Sequence, residues 1–154
     1  MGSDVRSVIA IDPGLWSGWA LFHRGKLHVA GVLSEDEITR APPMPEWSPA
    51  IALIEVPVIY PIGKSKGDPN DLIKLAITVG DLRGFYRRHG LRVGFVKPRR
   101  WKGTVPKEIH GERVVGKLEA DERAILPTLP KTKRHNMIDA IGLGLWWLEK
   151  EERR

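Results

Sequence analysis

The chain has no cysteine among its 154 residues, which excludes disulfides, thiolate nucleophiles and cysteine-ligated zinc. Any metal it binds must rely on carboxylates or histidine, and oxygen ligands favour Mg²⁺, with Mn²⁺ able to substitute. No apolar run reaches the roughly 20 residues of a membrane-spanning helix. The opening residues carry Asp4 and Arg6 and lead into a short apolar run ending at an aspartate, which does not describe a secretory signal. Both absences predict a soluble protein without a membrane role, cytoplasmic in a bacterium or in a phage-infected host. Acidic residues are also in deficit: 19 Asp plus Glu face 25 Lys plus Arg, for a formal charge of +6. Such a balance favours an anionic partner such as a phosphate backbone, although many basic proteins bind no nucleic acid.

What is present suffices for one core, and residues 1–154 are expected to form a single domain. Val8 to Ile11 is a β-branched run broken by Asp12-Pro13-Gly14. Ser17 to Phe22 reads as a second strand, turning at Arg24-Gly25 into a third over Lys26 to Leu33. Four prolines between Ser34 and Pro49 mark a surface connection with at most a helical turn near Glu35 to Thr39. Ala50 to Val56 is apolar except for Glu55, which it delivers at its end. A loop over Pro57 to Asn70 precedes a helix capped by Asp71 and running to Arg88, with Leu72, Leu75, Ala76, Val79, Leu82 and Tyr86 on one buried face. Gly90 ends it, Leu91 to Val96 is a further strand, and Pro98 stops that strand. Glu108 to Ile125 is helix-compatible, and a final helix from His135 to Glu149 is apolar almost all round. Three meander strands followed by strand, helix, strand and helices predict an α/β domain with a mixed five-stranded sheet flanked by helices.

Asp12 and Glu55 each directly follow an apolar strand, and Asp139 interrupts the most hydrophobic helix. If the first and fourth strands are neighbours, the first two acids emerge on one sheet edge. Hydrolysis of a phosphodiester by two metal ions needs carboxylates converging from separate elements in this way. Three acids gathered without a cation would be costly, so the pattern makes most sense as a metal site. Singly, each acid has a plainer reading: a strand-end turn, a solvated loop residue, a stray polar group. His135 and Asn136 precede Asp139 by four and three residues, spacings that share a helix face. Asn136 could offer an amide oxygen and His135 a ring nitrogen or a proton shuttle, while a capping or surface role for either stays open.

Basic residues flank these acids. Lys97, Arg99, Arg100 and Lys102 surround Trp101, and Lys131, Lys133 and Arg134 lie just before the last helix, so both groups suit phosphate contacts. Lys64 and Lys66 with Tyr60 lie in the loop after Glu55. Gly63-Lys64-Ser65 is not a phosphate-binding P-loop, because Val58 stands where that motif requires glycine. Trp16, Trp19, Trp146 and Trp147 are expected in the core, with Trp147 open to a dimer interface.

The run from Val8 to Ala20, with Asp12-Pro13-Gly14 and then Ser17-Gly18, resembles the opening of RuvC-type Holliday junction resolvases. Glu55 stands where that family carries its second acid. Leu75 to Gly80, the Val96-x-Pro98-x-x-Trp101-Lys102 segment of phage-type relatives, and Asp139-Ala140 extend the likeness along nearly the whole chain. The resemblance implies a ribonuclease-H-like fold, a homodimer, and Mg²⁺-dependent paired nicking of opposed strands at a four-way DNA junction in recombination and repair. Asp12, Glu55 and Asp139 would be the catalytic metal ligands. It also implies an aromatic wedge at the junction centre, for which Tyr60 is the nearest candidate. One position departs from the pattern: the family's acid or histidine three residues before the last aspartate is here Asn136. Rival readings are a nuclease of the same fold acting on flaps or RNA–DNA hybrids, a non-catalytic DNA-binding module, and half of an actin-type ATPase. The last lacks its second lobe and further glycine-rich loops.

Overall fold

The computed structural model describes residues 4–58 and 68–154. Tyr60, Lys64 and Lys66 lie outside the described residues. The expected meander is present as β1 (Asp4–Asp12), β2 (Trp16–His23) and β3 (Lys26–Ser34), followed by α1 (Glu35–Arg40) and β4 (Pro49–Glu55). Then come α2 (Pro69–Arg88), β5 (Arg92–Val96), α3 (Pro98–Lys102), α4 (Lys107–Lys117), α5 (Ala120–Ala124) and α6 (Lys131–Glu152). One mixed five-stranded sheet has the order β3-β2-β1-β4-β5. The central pair, β1 and β4, is parallel, with Ile11 opposite Ile54.

Strand side chains alternate between the two faces of a sheet, and β1 uses both faces for core. Val8 and Ala10 join Leu53, Phe22, Met137 and Ile141 beneath α6, whereas Ile9 and Ile11 join Ile54, Val79, Leu82 and Tyr86 beneath α1 and α2. A strand segment buried on both faces must be apolar, which is why residues 8–11 of β1 and 50–54 of β4 read as unbroken hydrophobic runs.

Several boundaries differ from expectation for local reasons. The cap of α2 is Asp68, whose side chain accepts from the Asn70 N–H with Pro69 in the first turn, so Asp71 lies inside the helix. On its buried face Ala76 is exposed, and Ile73 and Ile77 point outward as well. The stretch after Pro98 is three short helices: Leu118 ends α4 in an extended conformation, and Glu119 with Glu122 forms a capping box that starts α5. Helix α6 begins at Lys131, behind Pro130, one turn earlier than expected. Lys131, Lys133 and Arg134 therefore ride on its first turn. Trp16 is not core but 37% exposed, with the Lys133 ammonium 3.6 Å from its ring centroid. Trp19, Trp146 and Trp147 pack partly buried against the two cores. Among the described residues, no helix is long and apolar enough to cross a membrane.

Candidate active site

The pairing of β1 with β4 brings the first two acids together. Asp12 follows Ile11 and Glu55 follows Ile54, and these two isoleucines are register partners, so both carboxylates leave the same edge of the sheet. The turn after Asp12 is shaped by Ser17, whose hydroxyl accepts from the Gly14 N–H and donates to the Gly14 carbonyl, both at 3.2 Å. Gly18, register partner of Asp12, allows α6 to approach: a Cβ there would overlap the backbone carbonyl of Asn136. That close crossing lays the first turns of α6 over the sheet edge and carries Asp139, 8% exposed, to the same place.

Electrostatics show the three acids acting on one another. The pKa of Asp12 is raised well above the ordinary carboxyl range, first by burial and then by the negative charges of Glu55 and Asp139. Glu55 is also raised: burial outweighs the attraction of Lys102 and a hydrogen bond from the Trp101 indole. Lys102 places its ammonium between two of the acids, 3.4 Å from Glu55 Oε1 and 3.0 Å from Asp139 Oδ2. Burial works against that ammonium, but Asp139 and Glu55 outweigh it and raise its pKa. Positive charge is thus what this edge demands, and a lysine supplies part of it. Trp101 Nε1 donates to Glu55 Oε2 at 2.8 Å and fixes the carboxylate's orientation.

The donor chemistry fits a divalent cation: three carboxylates, from β1, β4 and α6, with burial and then neighbouring negative charge opposing the ionisation of Asp12 and Glu55. The fit is loose as it stands. Among the described residues, the one set of three acids or histidines whose ligand atoms all lie within 4.8 Å of one another is Glu119, Asp121 and Glu122, elsewhere on the molecule.

The other expected site residues divide. Lys102 turns inward to the acids, whereas Lys97, Arg99 and Arg100 stay exposed on and before α3, with Arg100 stacked 5.6 Å over Trp146. Lys131 and Arg134 are exposed at the start of α6. His135 does not join the acids. It shares its helix face with Ile138 and lines a groove of about 660 Å³ against Gly111 and Val115 of α4, its Nδ1 3.4 Å from the Lys131 carbonyl. The histidine that does approach is His110 of α4, whose Nε2 lies 4.0 Å from Asp139 Oδ1. Burial lowers its pKa. Sequence reading passed over His110, Trp101 as a donor to Glu55, and Lys107, whose charge is felt at Asp12. Only the Trp101-Lys102 pair carried a signal, as part of the segment after Pro98.

No protein-family profile and no curated protein sequence matches the chain. Solved structures do. A RuvC from Thermus thermophilus in complex with a Holliday junction substrate superposes with a TM-score of 0.62 at 16% identity, covering 94% of this chain and 96% of that one. The fowlpox virus resolvase in complex with Holliday junction DNA gives 0.59 at 15% identity, covering 94% and 98%. The yeast mitochondrial Holliday junction resolvase Ydc2 gives 0.57 at 11% identity, covering 99% and 82%. The expected fold is thereby borne out: this chain has the ribonuclease-H-like architecture, a mixed five-stranded sheet flanked by helices, that RuvC-type resolvases share.

Proposed function

We propose that the protein is a metal-dependent DNA endonuclease that resolves four-way junctions by nicking opposed strands, with Asp12, Glu55 and Asp139 as its cation ligands. The observation that carries this reading is the convergence of those three acids, from β1, β4 and α6, on one sheet edge where burial and neighbouring negative charge raise the pKa of Asp12 and Glu55. The shared fold with resolvases solved on junction DNA supports the choice of substrate.

Divalent cations bound there would activate a water for in-line attack on the scissile phosphate and stabilise the departing oxygen. The chain's own groups do the rest. Trp101 holds Glu55 in one rotamer, and Lys102 offers its ammonium to the incoming phosphate once cations take over its carboxylate partners. Lys97, Arg99 and Arg100 on one flank, and Lys131, Lys133 and Arg134 on the other, line the approach to the acids and bind the two arms of a bent strand by phosphate contacts. Asn136, one helical turn before Asp139, is half-buried, and its amide oxygen is a further candidate cation ligand. Tyr60, Lys64 and Lys66, outside the described residues, are proposed as further DNA contacts on their chemistry alone, two cations and one aromatic ring. Two nicks need two sites, hence a homodimer. Ile73 and Ile77, 58% and 60% exposed one turn apart on α2, give a second copy an apolar surface.

The test is a cleavage panel with a synthetic four-way junction, a linear duplex, a flap and an RNA–DNA hybrid, each with Mg²⁺ and with chelator. Symmetric, Mg²⁺-dependent nicks in the junction are expected. Cleavage confined to the flap or the hybrid would move the protein to another substrate class within the same fold, and binding without any cleavage would make it a DNA-binding module.

A further inference from the structure

His110 is a partly buried imidazole with an unanswered nitrogen. Its side chain is 13% exposed, and its Nε2 is screened from solvent without a hydrogen-bond partner. A buried polar atom left so is costly unless something fills the position. The ring stands edge-on to Trp101, centroids 5.0 Å apart at 63°, so the same indole that fixes Glu55 also fixes the direction of the imidazole. Nε2 faces Asp139 Oδ1 at 4.0 Å, too far for a hydrogen bond. Asp139 Oδ2 is the oxygen that accepts from Lys102, which leaves Oδ1 to the side of His110. A nitrogen and a carboxylate oxygen facing each other at that separation stand no farther apart than two ligands on one cation can, each about 2.0–2.2 Å from the ion.

We propose that His110 is a nitrogen ligand of the cation bound by Asp139, so that the site takes Mn²⁺ in preference to Mg²⁺. The proposal rests on the nuclease reading and adds to it a residue from α4, an element that contributes none of the three acids. Imidazole is a poor partner for Mg²⁺ and a better one for transition metals, which sets the direction of the preference. His135 has no part in it, since its ring lies in the groove between α4 and α6.

Electron spin-echo measurements on the full chain loaded with Mn²⁺ decide the matter. The wild type should show modulation from one directly bound ¹⁴N, which ¹⁵N-histidine labelling converts to the ¹⁵N pattern without any mutation. The modulation should vanish in His110→Gln and persist in His135→Ala. Titration should show His110→Gln weakening Mn²⁺ at least about tenfold, as loss of a ligand requires, and Mg²⁺ less, with circular dichroism confirming the fold. Bound Mn²⁺ without nitrogen modulation, or modulation that survives His110→Gln, would overturn the proposal and leave the nuclease reading standing. If neither Mn²⁺ nor Mg²⁺ binds at all, both fall together.

Discussion

Two places in this molecule gather three carboxylates and one lysine, and they behave oppositely. At the edge of β3, Glu119, Asp121 and Glu122 of the α5 turn surround Lys26, whose ammonium lies 3.1 Å from Glu119 and 2.8 Å from Asp121. Every acid there has a local task. Glu122 Oε2 accepts the Leu27 N–H at 2.7 Å and its Oε1 accepts the Glu119 N–H, while Asp121 Oδ1 accepts the Glu122 N–H. The hydrogen bond from Lys26 lowers the pKa of Asp121. At the other place Asp12, Glu55 and Asp139 share Lys102, and the pKa values of Asp12 and Glu55 are raised. The first cluster is the tighter, yet its charges are already answered by backbone N–H groups and an exposed ammonium. The second is looser, more buried and short of positive charge. Closeness of carboxylates therefore does not mark a cation site; unmet demand for charge does.

The largest test of this contrast removes one acid from each cluster. Asp139→Asn should lower Mg²⁺-dependent cleavage by about a thousandfold or more, the several kcal/mol that metal-ion stabilisation of a transition state is worth. Junction binding in chelator should be unchanged or tighter, because a negative charge beside the phosphate is gone. Single-turnover cleavage and gel-shift measurements read the two effects separately. Glu122→Gln should leave both untouched. Cleavage lost equally in the two variants would show that the contrast drawn from burial and charge is wrong.

Stability should respond in the reverse sense. Glu122 is 7% exposed and anchors α5 to the β3 edge strand through the Leu27 N–H, a charge-assisted bond that also covers an open edge. Glu122→Gln exchanges that carboxylate for an amide and weakens the anchor, at a cost of about 1–2 kcal/mol. Thermal unfolding should register this as a drop of roughly 2–8 °C for a domain of this size. An unchanged melting temperature would mean that α5 is held by other contacts.

Much of the second cluster was legible along the chain because its cause is local and periodic. An apolar run ending in an acid, twice, together with the parallel neighbours β1 and β4, suffices to set Asp12 beside Glu55. The Gly18 of the opening motif gains its reason only in three dimensions, as the point where α6 touches β2. Lys102 was read as a phosphate contact, since nothing in a basic segment says which lysine turns inward; that depends on Trp101 packing against Gly142 of α6. His135 appeared favourable by helical spacing alone. The spacing is real, but α4 packs on that face and takes His135 into its groove, while His110 reaches Asp139 from across the helix pair. His110 lies in a stretch whose polar composition shows no pattern, and the register of α4 against α6 is a tertiary fact. The caps at Asp68 and Glu119, by contrast, had their signatures in the Asp68-Pro69 and Glu119-x-x-Glu122 spacings.

The finest test uses Asp12, whose raised pKa fixes both a sign and a pH window. A carboxyl that holds its proton more tightly when folded opposes folding once ionised. The penalty is absent below the unfolded value of about 3.9, grows as pH rises toward the folded value, and is full above it. Asp12→Asn removes the charge, so the cation-free variant should be more stable than wild type at neutral pH, read as a higher Tm. The gain should shrink as pH is lowered and disappear near pH 4. Mg²⁺ should reverse the order, since a ligand of the folded state stabilises by mass action only the protein that binds it. Nothing comparable can happen at the Lys26 cluster. There the lowered pKa of Asp121 contributes stability above the unfolded carboxyl value and loses it as pH falls, with Mg²⁺ making no difference. A wild type that melts higher than Asp12→Asn at pH 7 in chelator would show that Lys102 already satisfies the acids, and would remove the electrostatic ground for a cation at this edge.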